Sequence, residues 1–355
     1  MTSKSQQLRI GYVPVSHSLE NPSDRRRFVY YAKRRNLPFE IADPREKYDL
    51  VVLTQGADLS IWSQYERGGA KVVYDFIDSY LSVPRTSLKG MMRGLAKYVA
   101  GQSKYLRFNH WRALESMCVR ADAVVCSTQE QAITISRFCS NVHLILDIHS
   151  MVSRASKTTY RAGEVFNLVW EGIPGNLYAF QRLKKVIAKL QARHKIALHV
   201  ITDLEFRRYV GRYWKTNSIE IVRDLFDRVY MYQWNEQTCA HIICATDLAV
   251  IPIDLSNPLV RGKPENKLLL FWRLGMPTVT SATPAYERAM LKAGLNMSCR
   301  DENEWFDILE EYICDERARC TAGVAGLHVA ETEYSEQAIL QEWDQLFSSL
   351  QLTQM

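Results

Sequence analysis

A chain of 355 residues, 47% hydrophobic and 24% charged, has the composition of a soluble globular protein and is long enough for about two domains. Its net charge of +6 is modest, and without a recognition motif it does not indicate a nucleic-acid partner. Apolar runs fall short of the roughly 18 residues of a membrane span, and no signal-peptide segment opens the chain. The eight cysteines form no Cys-x-x-Cys pair, which argues for reduced thiols in a cytoplasmic protein.

Short apolar runs alternate with helical segments through the first half of the chain. The runs are rich in β-branched residues and are bounded by polar turns, which is typical of strands buried in a parallel sheet. The segment 25–36 has apolar residues spaced for one face of a helix. Strands are predicted at 8–15, 38–43, 48–54, 71–78, 121–128 and 141–147.

The second half repeats this alternation. Lys and Arg are concentrated in the C-terminal half of the helical segment 176–193, where they suit the helix dipole. An amphipathic segment, 335–351, follows as the last helix. Strands are predicted at 164–172, 195–203, 227–234, 245–253 and 276–281, and helices at 176–193, 236–244 and 265–275.

The alternation predicts an α/β protein with two doubly wound, Rossmann-like domains that face a cleft. The domains are expected at 1–160 and 161–334, and the helix in 335–355 is expected to cross back to the first domain. The polar segment 156–163 is the expected linker. Because doubly wound sheets bind ligands beyond the carboxyl ends of their strands, such a cleft has room for two substrates.

A characteristic order of residues runs from Trp234 to Pro277. It contains Trp234, the strand 245–253, Arg-Gly-Lys at 261–263, Lys267 and Gly-Met-Pro-Thr-Val at 275–279. In this order the stretch resembles the donor-sugar domain of GT-B-fold glycosyltransferases, in particular those of family 4. The strands 73–78 and 121–128 are similar to strands of the acceptor domain in that family.

The resemblance implies a function for each domain. Residues 1–160 would bind the acceptor and 161–334 a nucleotide-diphosphate sugar, with retention of anomeric configuration, no metal and no cofactor besides the donor. Two departures bear on donor binding. The position at which many family members hold the donor ribose with a glutamate is Leu270, and the loop 170–176 has no basic residue where the family often has Arg and Lys.

Basic residues crowd the start of the predicted helix 265–275. Glycosyl transfer builds negative charge on the departing diphosphate, which a metal ion or fixed positive groups can stabilise. No Asp-x-Asp metal motif occurs, whereas Arg261, Lys263 and Lys267 lie together with helix N–H groups, and Gly262 permits close approach of the backbone. We therefore predict Arg261 and Lys263 as catalytic and Gly262 and Lys267 as donor-binding residues. The alternative is a solvated basic loop.

Other donor-site candidates follow predicted strands or begin the same helix. Each has a structural alternative: a tight turn for Gly172, a helix N-cap for Asp203, a core aromatic for Trp234 and helix capping for Glu265. The candidates are Glu171, Gly172, Thr202, Asp203, Trp234, Glu265 and Asn266.

Acceptor-side candidates follow two strands of the first domain. Asp75 and Asp78 end the predicted strand 71–78, and Asp78 is predicted to touch the transferred sugar or the acceptor as a catalytic residue. A turn or capping role is the alternative. His17 and Ser18, in the loop after the first strand, are predicted to bind the acceptor, with an ordinary exposed loop histidine as the alternative. The histidines show no metal-ligand spacing.

A basic segment with interleaved apolar residues covers 85–112. From Ser79 to Leu114 the chain has no Asp or Glu. A basic amphipathic helix is typical of membrane-surface binding, although a solvated basic helix fits the pattern equally. A lipid-linked acceptor would place the protein at the inner face of the membrane.

The sequence thus predicts a metal-independent glycosyltransferase that transfers a sugar from a nucleotide-diphosphate donor to a glycan or glycolipid hydroxyl. One alternative is a nucleotide-sugar 2-epimerase of the same fold. Another, favoured by Leu270 and by the missing loop cations, is a non-catalytic subunit of a glycan-assembly complex.

Overall fold

The computed structural model describes residues 8–82, 98, 103–105, 109–207 and 215–352, and the chain forms two compact units. Unit 1 comprises Met1–Ile148 and Gln337–Met355, and unit 2 comprises His149–Glu336.

Unit 1 is built on a parallel six-stranded sheet. The strand order is β2-β1-β3-β4-β5-β6, and each neighbouring pair is parallel. The central strands are buried over their whole length, as their uninterrupted apolar runs predict. The strands are β1 (Ile10–Val13), β2 (Glu40–Ile41), β3 (Leu50–Thr54), β4 (Lys71–Asp75), β5 (Ala123–Cys126) and β6 (Val142–Leu144).

Among the described residues, five α-helices lie between these strands. The predicted helix 25–36 is two helices, because Arg27 between them has non-helical dihedrals and its buried guanidinium makes a two-bond ion pair with Asp75. Two short 3-10 helices are Arg67–Gly69 and Tyr80–Ser82. The α-helices are α1 (Pro22–Arg25), α2 (Phe28–Arg34), α3 (Leu59–Trp62), α4 (His110–Arg120) and α5 (Gln129–Ile135).

Unit 2 contains a second parallel six-stranded sheet, with the order β11-β8-β7-β12-β13-β14. If β7 is numbered 1 and the strands outside this sheet are left out, this is the doubly wound order 3-2-1-4-5-6. A two-stranded antiparallel hairpin, β9–β10, is separate from it. The strands are β7 (Phe166–Glu171), β8 (Ile196–Thr202), β9 (Glu205–Arg207), β10 (Lys215–Asn217), β11 (Val229–Gln233), β12 (Leu248–Ile251), β13 (Thr278–Ser281) and β14 (Ser298–Cys299).

The predicted helix 176–193 begins as a 3-10 helix, Pro174–Leu183, and continues as an α-helix. Another 3-10 helix is Ser218–Ile221. The α-helices of unit 2 are α6 (Lys184–Gln191), α7 (Cys239–Cys244), α8 (Pro258–Arg261), α9 (Asn266–Trp272), α10 (Pro284–Lys292), α11 (Glu302–Cys314) and α12 (Glu316–Thr332).

Two residues of the polar segment 156–163, Lys157 and Tyr160, make hydrogen bonds within unit 2. The Lys157 ammonium donates to the carbonyl oxygen of Thr246 (2.5 Å), and the Tyr160 hydroxyl donates to that of Gly275 (2.9 Å). The buried Arg319 guanidinium in turn donates to the carbonyl of Tyr160. These residues lie within the compact unit His149–Glu336. The functional domain bounds at 160 and 334 remain a prediction.

The last helix, α13 (Glu336–Ser349), packs on unit 1. Trp343 is fully buried and stacks with Tyr31, with 5.6 Å between ring centroids. Asp344 accepts two hydrogen bonds from the Arg35 guanidinium and one from the Tyr31 hydroxyl. A C-terminal helix that returns to the first sheet is what the amphipathic pattern predicts.

In the described part of the chain, no helix combines the length and the apolar character that crossing a membrane requires. The predicted basic helix at 85–112 falls largely outside the described residues.

Candidate functional site

The candidate site lies in unit 2, where the strand order of the sheet reverses. Chain connections leave β7 and β12 toward opposite edges of the sheet, and ligands of doubly wound folds bind at this switch point, beyond the carboxyl ends of the strands. β7 ends at Glu171 and passes into a loop that begins with Gly172. The start of α9 brings the predicted basic residues to the same place.

The backbone conformation and surroundings of Gly172 favour glycine at this position. Its φ is +152°, a conformation that L side chains rarely adopt, and a Cβ at this position would collide with the ammonium nitrogen of Lys267. The Gly172 N–H donates to the carbonyl of Ile201 at 3.1 Å, which holds the loop against β8. The absence of a side chain therefore leaves the space in which the Lys267 ammonium lies.

Lys267 is the most perturbed cation of this region. Its ammonium lies 4.4 Å from the ring centroid of Trp170, within the range of a cation–π interaction. Burial lowers the pKa of Lys267 to about 8, the nearby Glu171 carboxylate opposes that shift, and the charge of Lys263 adds to it. No hydrogen-bond acceptor meets this ammonium among the residues that the structure describes. An anionic ligand would supply one and would restore the charge.

Lys263 reaches the loop that follows β7. Its ammonium donates to Asn176 Oδ1 at 2.7 Å. The loop 170–176 has no basic residue of its own, yet two lysines from the other side of the switch point bring positive charge to it. Arg261 ends α8 and is exposed, and Gly262 caps that helix.

Hydrogen bonds tie the ends of three neighbouring strands together. The Trp234 indole N–H donates to Glu171 Oε1 at 2.9 Å, and the Trp234 backbone N–H donates to the carbonyl of Thr202. The hydroxyl of Thr202 donates to the carbonyl of Gly172 at 2.6 Å. Four predicted donor-site residues thus form one connected group. Trp234 is half-buried and paired with Glu171, so its role is not that of a simple core aromatic.

Asp203 is exposed and does not cap a helix, because the hairpin β9–β10 follows it. Its carboxylate accepts a hydrogen bond from the Gln233 side chain at 3.0 Å. It lies at the same carboxyl edge as the connected group.

Glu265 precedes α9, but its side chain makes no capping hydrogen bond. The carboxyl group is buried, where the Tyr334 hydroxyl donates to it at 3.4 Å, and burial raises its pKa. Asn266 is half-buried and is the first residue of the helix. Since α9 is only seven residues long, its dipole contributes little, and the positive character of the site comes from the lysines. Leu270, on the same helix, is a core residue with 1% exposure.

The acceptor-side candidates lie in unit 1. His17 and Ser18 are exposed in the loop after β1, where the Asp24 carboxylate accepts hydrogen bonds from the backbone N–H groups of Val15 and Ser16. Asp78 is half-buried after β4. The structure thus divides the predicted residues between the two units: nine donor-binding candidates with Arg261 and Lys263 in unit 2, and Asp78, His17 and Ser18 in unit 1.

Sequence reasoning gave Trp170 and Asn176 no role in this region, and it noted Tyr334 only for its place in the resemblance. Trp170 reads as one more apolar residue of a strand, and Asn176 as a loop residue. Only the contacts with Lys267, Lys263 and Glu265 reveal their positions. A separate cavity of about 260 Å³ lies beyond the ends of β12, β13 and β14, and none of the predicted residues lines it.

Comparison with known proteins supports the fold. HepE from Anabaena, solved in complex with UDP and glucose, is similar over 96% of this chain and 100% of its own, with a TM-score of 0.64 and 11% identity. Sucrose-phosphate synthase from Thermosynechococcus elongatus is similar over 92% of this chain and 77% of its own (TM-score 0.59, 16% identity). WaaG, a glycosyltransferase involved in lipopolysaccharide biosynthesis, is similar over 95% and 99% (TM-score 0.57, 12% identity).

The chain therefore has the fold of the GT-B glycosyltransferases, which confirms the predicted class of two doubly wound α/β domains. No family model matches the chain, and no curated protein matches it in sequence. The resemblance of its sequence to the GT-B glycosyltransferases agrees with these structural neighbours.

Proposed function

We propose that this protein is a glycosyltransferase that moves a sugar from a nucleotide-diphosphate sugar to a hydroxyl group of a glycan or glycolipid. The observation that carries the proposal is a pair of lysines at the loop after β7: the Lys267 ammonium lies beside Gly172, and the Lys263 ammonium donates to Asn176. Lys267 is half-buried and has a lowered pKa, and its ammonium meets no hydrogen-bond acceptor among the described residues. These properties suit a site whose ligand is an anion.

The reaction breaks the bond between the anomeric carbon and the oxygen of the diphosphate. The bonding electrons leave with that oxygen, and the acceptor oxygen forms the new bond to the anomeric carbon. In a retaining transfer the departing phosphate can take the acceptor proton. Lys263 and Lys267, with Arg261 from the adjacent helix end, would stabilise the charge that builds on the diphosphate. The proposed reaction needs no metal ion and no cofactor other than the donor.

The remaining donor candidates would position the nucleotide. Gly172 allows the phosphates to approach the backbone, and the Glu171–Trp234 pair shapes the end of the sheet next to it. Asn266, half-buried at the start of α9, and the exposed Asp203 would contact hydroxyl groups of the donor. In unit 1, Asp78, His17 and Ser18 are the proposed acceptor contacts. The proposed protein is cytoplasmic and binds the inner face of a membrane through residues 85–112.

Transfer activity with a panel of nucleotide sugars and candidate glycan acceptors tests the function. Removing one preorganised donor to a developing anion costs about 10²–10³ in rate, so Lys263→Ala should lower kcat by about that factor. Lys185→Ala is the matched control, because Lys185 is an exposed lysine on α6. If Lys263→Ala retains activity within a few-fold of the wild type, the donor assignment is wrong.

Burial of Leu270 favours a second candidate function. The position that would hold the donor ribose is a core leucine, so the chain could instead be a non-catalytic subunit that has lost donor binding. Calorimetry with nucleoside diphosphates separates the two, since such a subunit would bind none of them. Turnover of the donor without any acceptor would point to the epimerase-like alternative.

A further inference from the structure

Three groups with metal-binding chemistry meet on unit 2 outside the candidate site. They are the imidazole of His194, the carboxylate of Glu310 and the thiol of Cys314, and their ligand atoms all lie within 4.8 Å of one another. His194 Nε2 and Glu310 Oε2 are 3.0 Å apart. His194 and Glu310 are half-buried, and Cys314 is exposed.

Helix geometry explains why these side chains converge. Glu310 and Cys314 are four residues apart on α11 and therefore share one face of it. His194 follows α6, and its backbone N–H donates to the carbonyl of Leu190 at 2.8 Å, which fixes the turn. The two helices pack together, and the Arg193 guanidinium lies 5.1 Å from the ring centroid of Phe306 on α11. The site is thus built from two packed helices rather than from a loop.

We propose that His194, Glu310 and Cys314 bind a zinc ion. Thiolate sulfur, imidazole nitrogen and carboxylate oxygen are the ligands that Zn²⁺ takes in proteins, and three protein ligands with a water molecule complete a tetrahedron. Bonds of about 2.0–2.3 Å place tetrahedral ligands roughly 3.3–3.8 Å apart. The distances to the Cys314 sulfur, 4.8 Å at most, would contract by up to about 1.3 Å, and the 3.0 Å distance between Nε2 and Oε2 would widen slightly. Side-chain rotation provides both changes.

The two oxygens of Glu310 have different partners. Oε1 accepts from the Arg193 guanidinium at 3.2 Å, and Oε2 contacts His194. A zinc ion would enter between Oε2 and Nε2 and replace their hydrogen bond, while Arg193 continues to orient the carboxylate through Oε1. Binding would release the thiol proton of Cys314, and any proton on Nε2, to solvent.

Spacing in the sequence does not reveal this group, because His194 lies 116 residues before Glu310 and the cysteines form no Cys-x-x-Cys pair. The proposal does not depend on the proposed function, since none of the three residues belongs to the candidate site. Of the eight cysteines, Cys314 and Cys320 are exposed, so little competition from other thiols is expected.

Competition between the full-length protein and a chromogenic chelator for Zn²⁺ measures the affinity. We expect one tight site per chain in the wild type. Loss of an outer-shell partner of a zinc ligand lowers affinity by about 10–100-fold, so loss of a ligand in Cys314→Ser or His194→Ala should lower it at least tenfold. The matched controls are Cys320→Ser and His328→Ala, which change an exposed thiol and an exposed imidazole elsewhere on unit 2.

Cobalt identifies the thiolate ligand directly. With Co²⁺ in place of Zn²⁺, we expect a thiolate-to-cobalt charge-transfer band in the wild type and in Cys320→Ser, and none in Cys314→Ser. Equal zinc affinity in the Cys314→Ser and Cys320→Ser variants would overturn the proposal, as would a cobalt complex without the band. Circular dichroism of each variant verifies that it is folded, and these substitutions at partly exposed positions should not disturb folding.

Discussion

The ammonium nitrogen of Lys267 occupies the space that a β-carbon of residue 172 would fill, so Lys267 and Gly172 depend on each other. The same ammonium lies over Trp170 at the end of β7 and is half-buried. Its surroundings penalise the charged form, and that penalty makes the charge sensitive both to pH and to a bound anion.

Affinity for a nucleoside diphosphate should fall as pH rises through the pKa of Lys267, which burial lowers to about 8. The phosphate groups are fully ionised well below this pH, with a last pKa of about 6. Above pH 8 the free protein must protonate Lys267 in order to bind, so the dissociation constant should rise toward tenfold per pH unit. Isothermal titration calorimetry with UDP between pH 6.5 and 9.5 measures this slope.

Lys267→Arg is the control for that experiment, because a guanidinium stays charged throughout the range. Its affinity should be independent of pH, and an equal pH slope in both proteins would assign the titration to another group.

Unfolding at high pH would not explain the loss of affinity that we predict for the wild type. Since the pKa of Lys267 is lower in the fold than its ordinary value of about 10.4, this group makes the fold more stable as pH rises between about 8 and 10.4.

Gly172→Ala should weaken nucleoside diphosphate binding by at least tenfold. The new methyl group would displace the Lys267 ammonium, and the backbone at φ +152° would add strain of about 1–3 kcal/mol. Gly175→Ala is the matched control, because a β-carbon there meets no atom within 4 Å. The two variants are compared by calorimetry and by thermal unfolding. Equal affinity in both would show that the space beside Lys267 is not part of the binding site.

The two aspartates around the end of β4 should respond differently to substitution. Asp75 is buried and receives two hydrogen bonds from the buried Arg27 guanidinium, so Asp75→Asn leaves a buried charge undercompensated and should destabilise unit 1 by about 3–5 kcal/mol. Asp78 is half-buried, and Asp78→Asn should lower transfer activity with little effect on stability. Urea unfolding and a transfer assay separate the two effects. If Asp75→Asn is stable but inactive, Asp75 rather than Asp78 is the aspartate required for activity.

Periodicity in the sequence was sufficient to predict the strands of both large sheets apart from β14. Each buried parallel strand is a continuous apolar run, and such runs are unambiguous when polar turns bound them. Two helix predictions were inaccurate over short stretches. Arg27 leaves the helical conformation to pair with Asp75, and the stretch after Pro174 adopts a tighter 3-10 turn. Such choices depend on partners far away in the sequence.

The sequence shows which charged residues crowd the candidate site, but it does not show the geometry that brings them to the loop. Lys263 and Lys267 are visible as cations at a helix start, but the loop 170–176 looks deficient in positive charge until the fold brings them to it. Lys157 is a second residue whose contacts the sequence pattern does not show. Within a polar segment it reads as part of a linker, yet its buried ammonium donates to the carbonyl of Thr246. Composition cannot reveal a carbonyl partner 89 residues away.

The contact of α13 with unit 1 should depend on Trp343. Its side chain is fully buried between Tyr31 and Phe347, and removing a buried tryptophan side chain costs about 3–5 kcal/mol. We therefore expect Trp343→Ala to lower the urea midpoint of unit 1 strongly. Gln345→Ala, at an exposed position of the same helix, should have no measurable effect, which shows that the loss is due to packing rather than to helix propensity.

Asp344 tests the polar part of the same contact. The hydrogen bonds that Asp344 accepts from Arg35 lower its pKa. Its contribution to the stability of the fold is therefore present above the ordinary carboxylate pKa of about 3.9 and is lost as pH falls through the lowered value. Because both side chains are partly exposed, Asp344→Asn should cost no more than about 1 kcal/mol. Urea unfolding at pH 7 compares the two variants. If Asp344→Asn destabilises unit 1 more than Trp343→Ala does, the ion pair rather than the aromatic stack holds α13 in place.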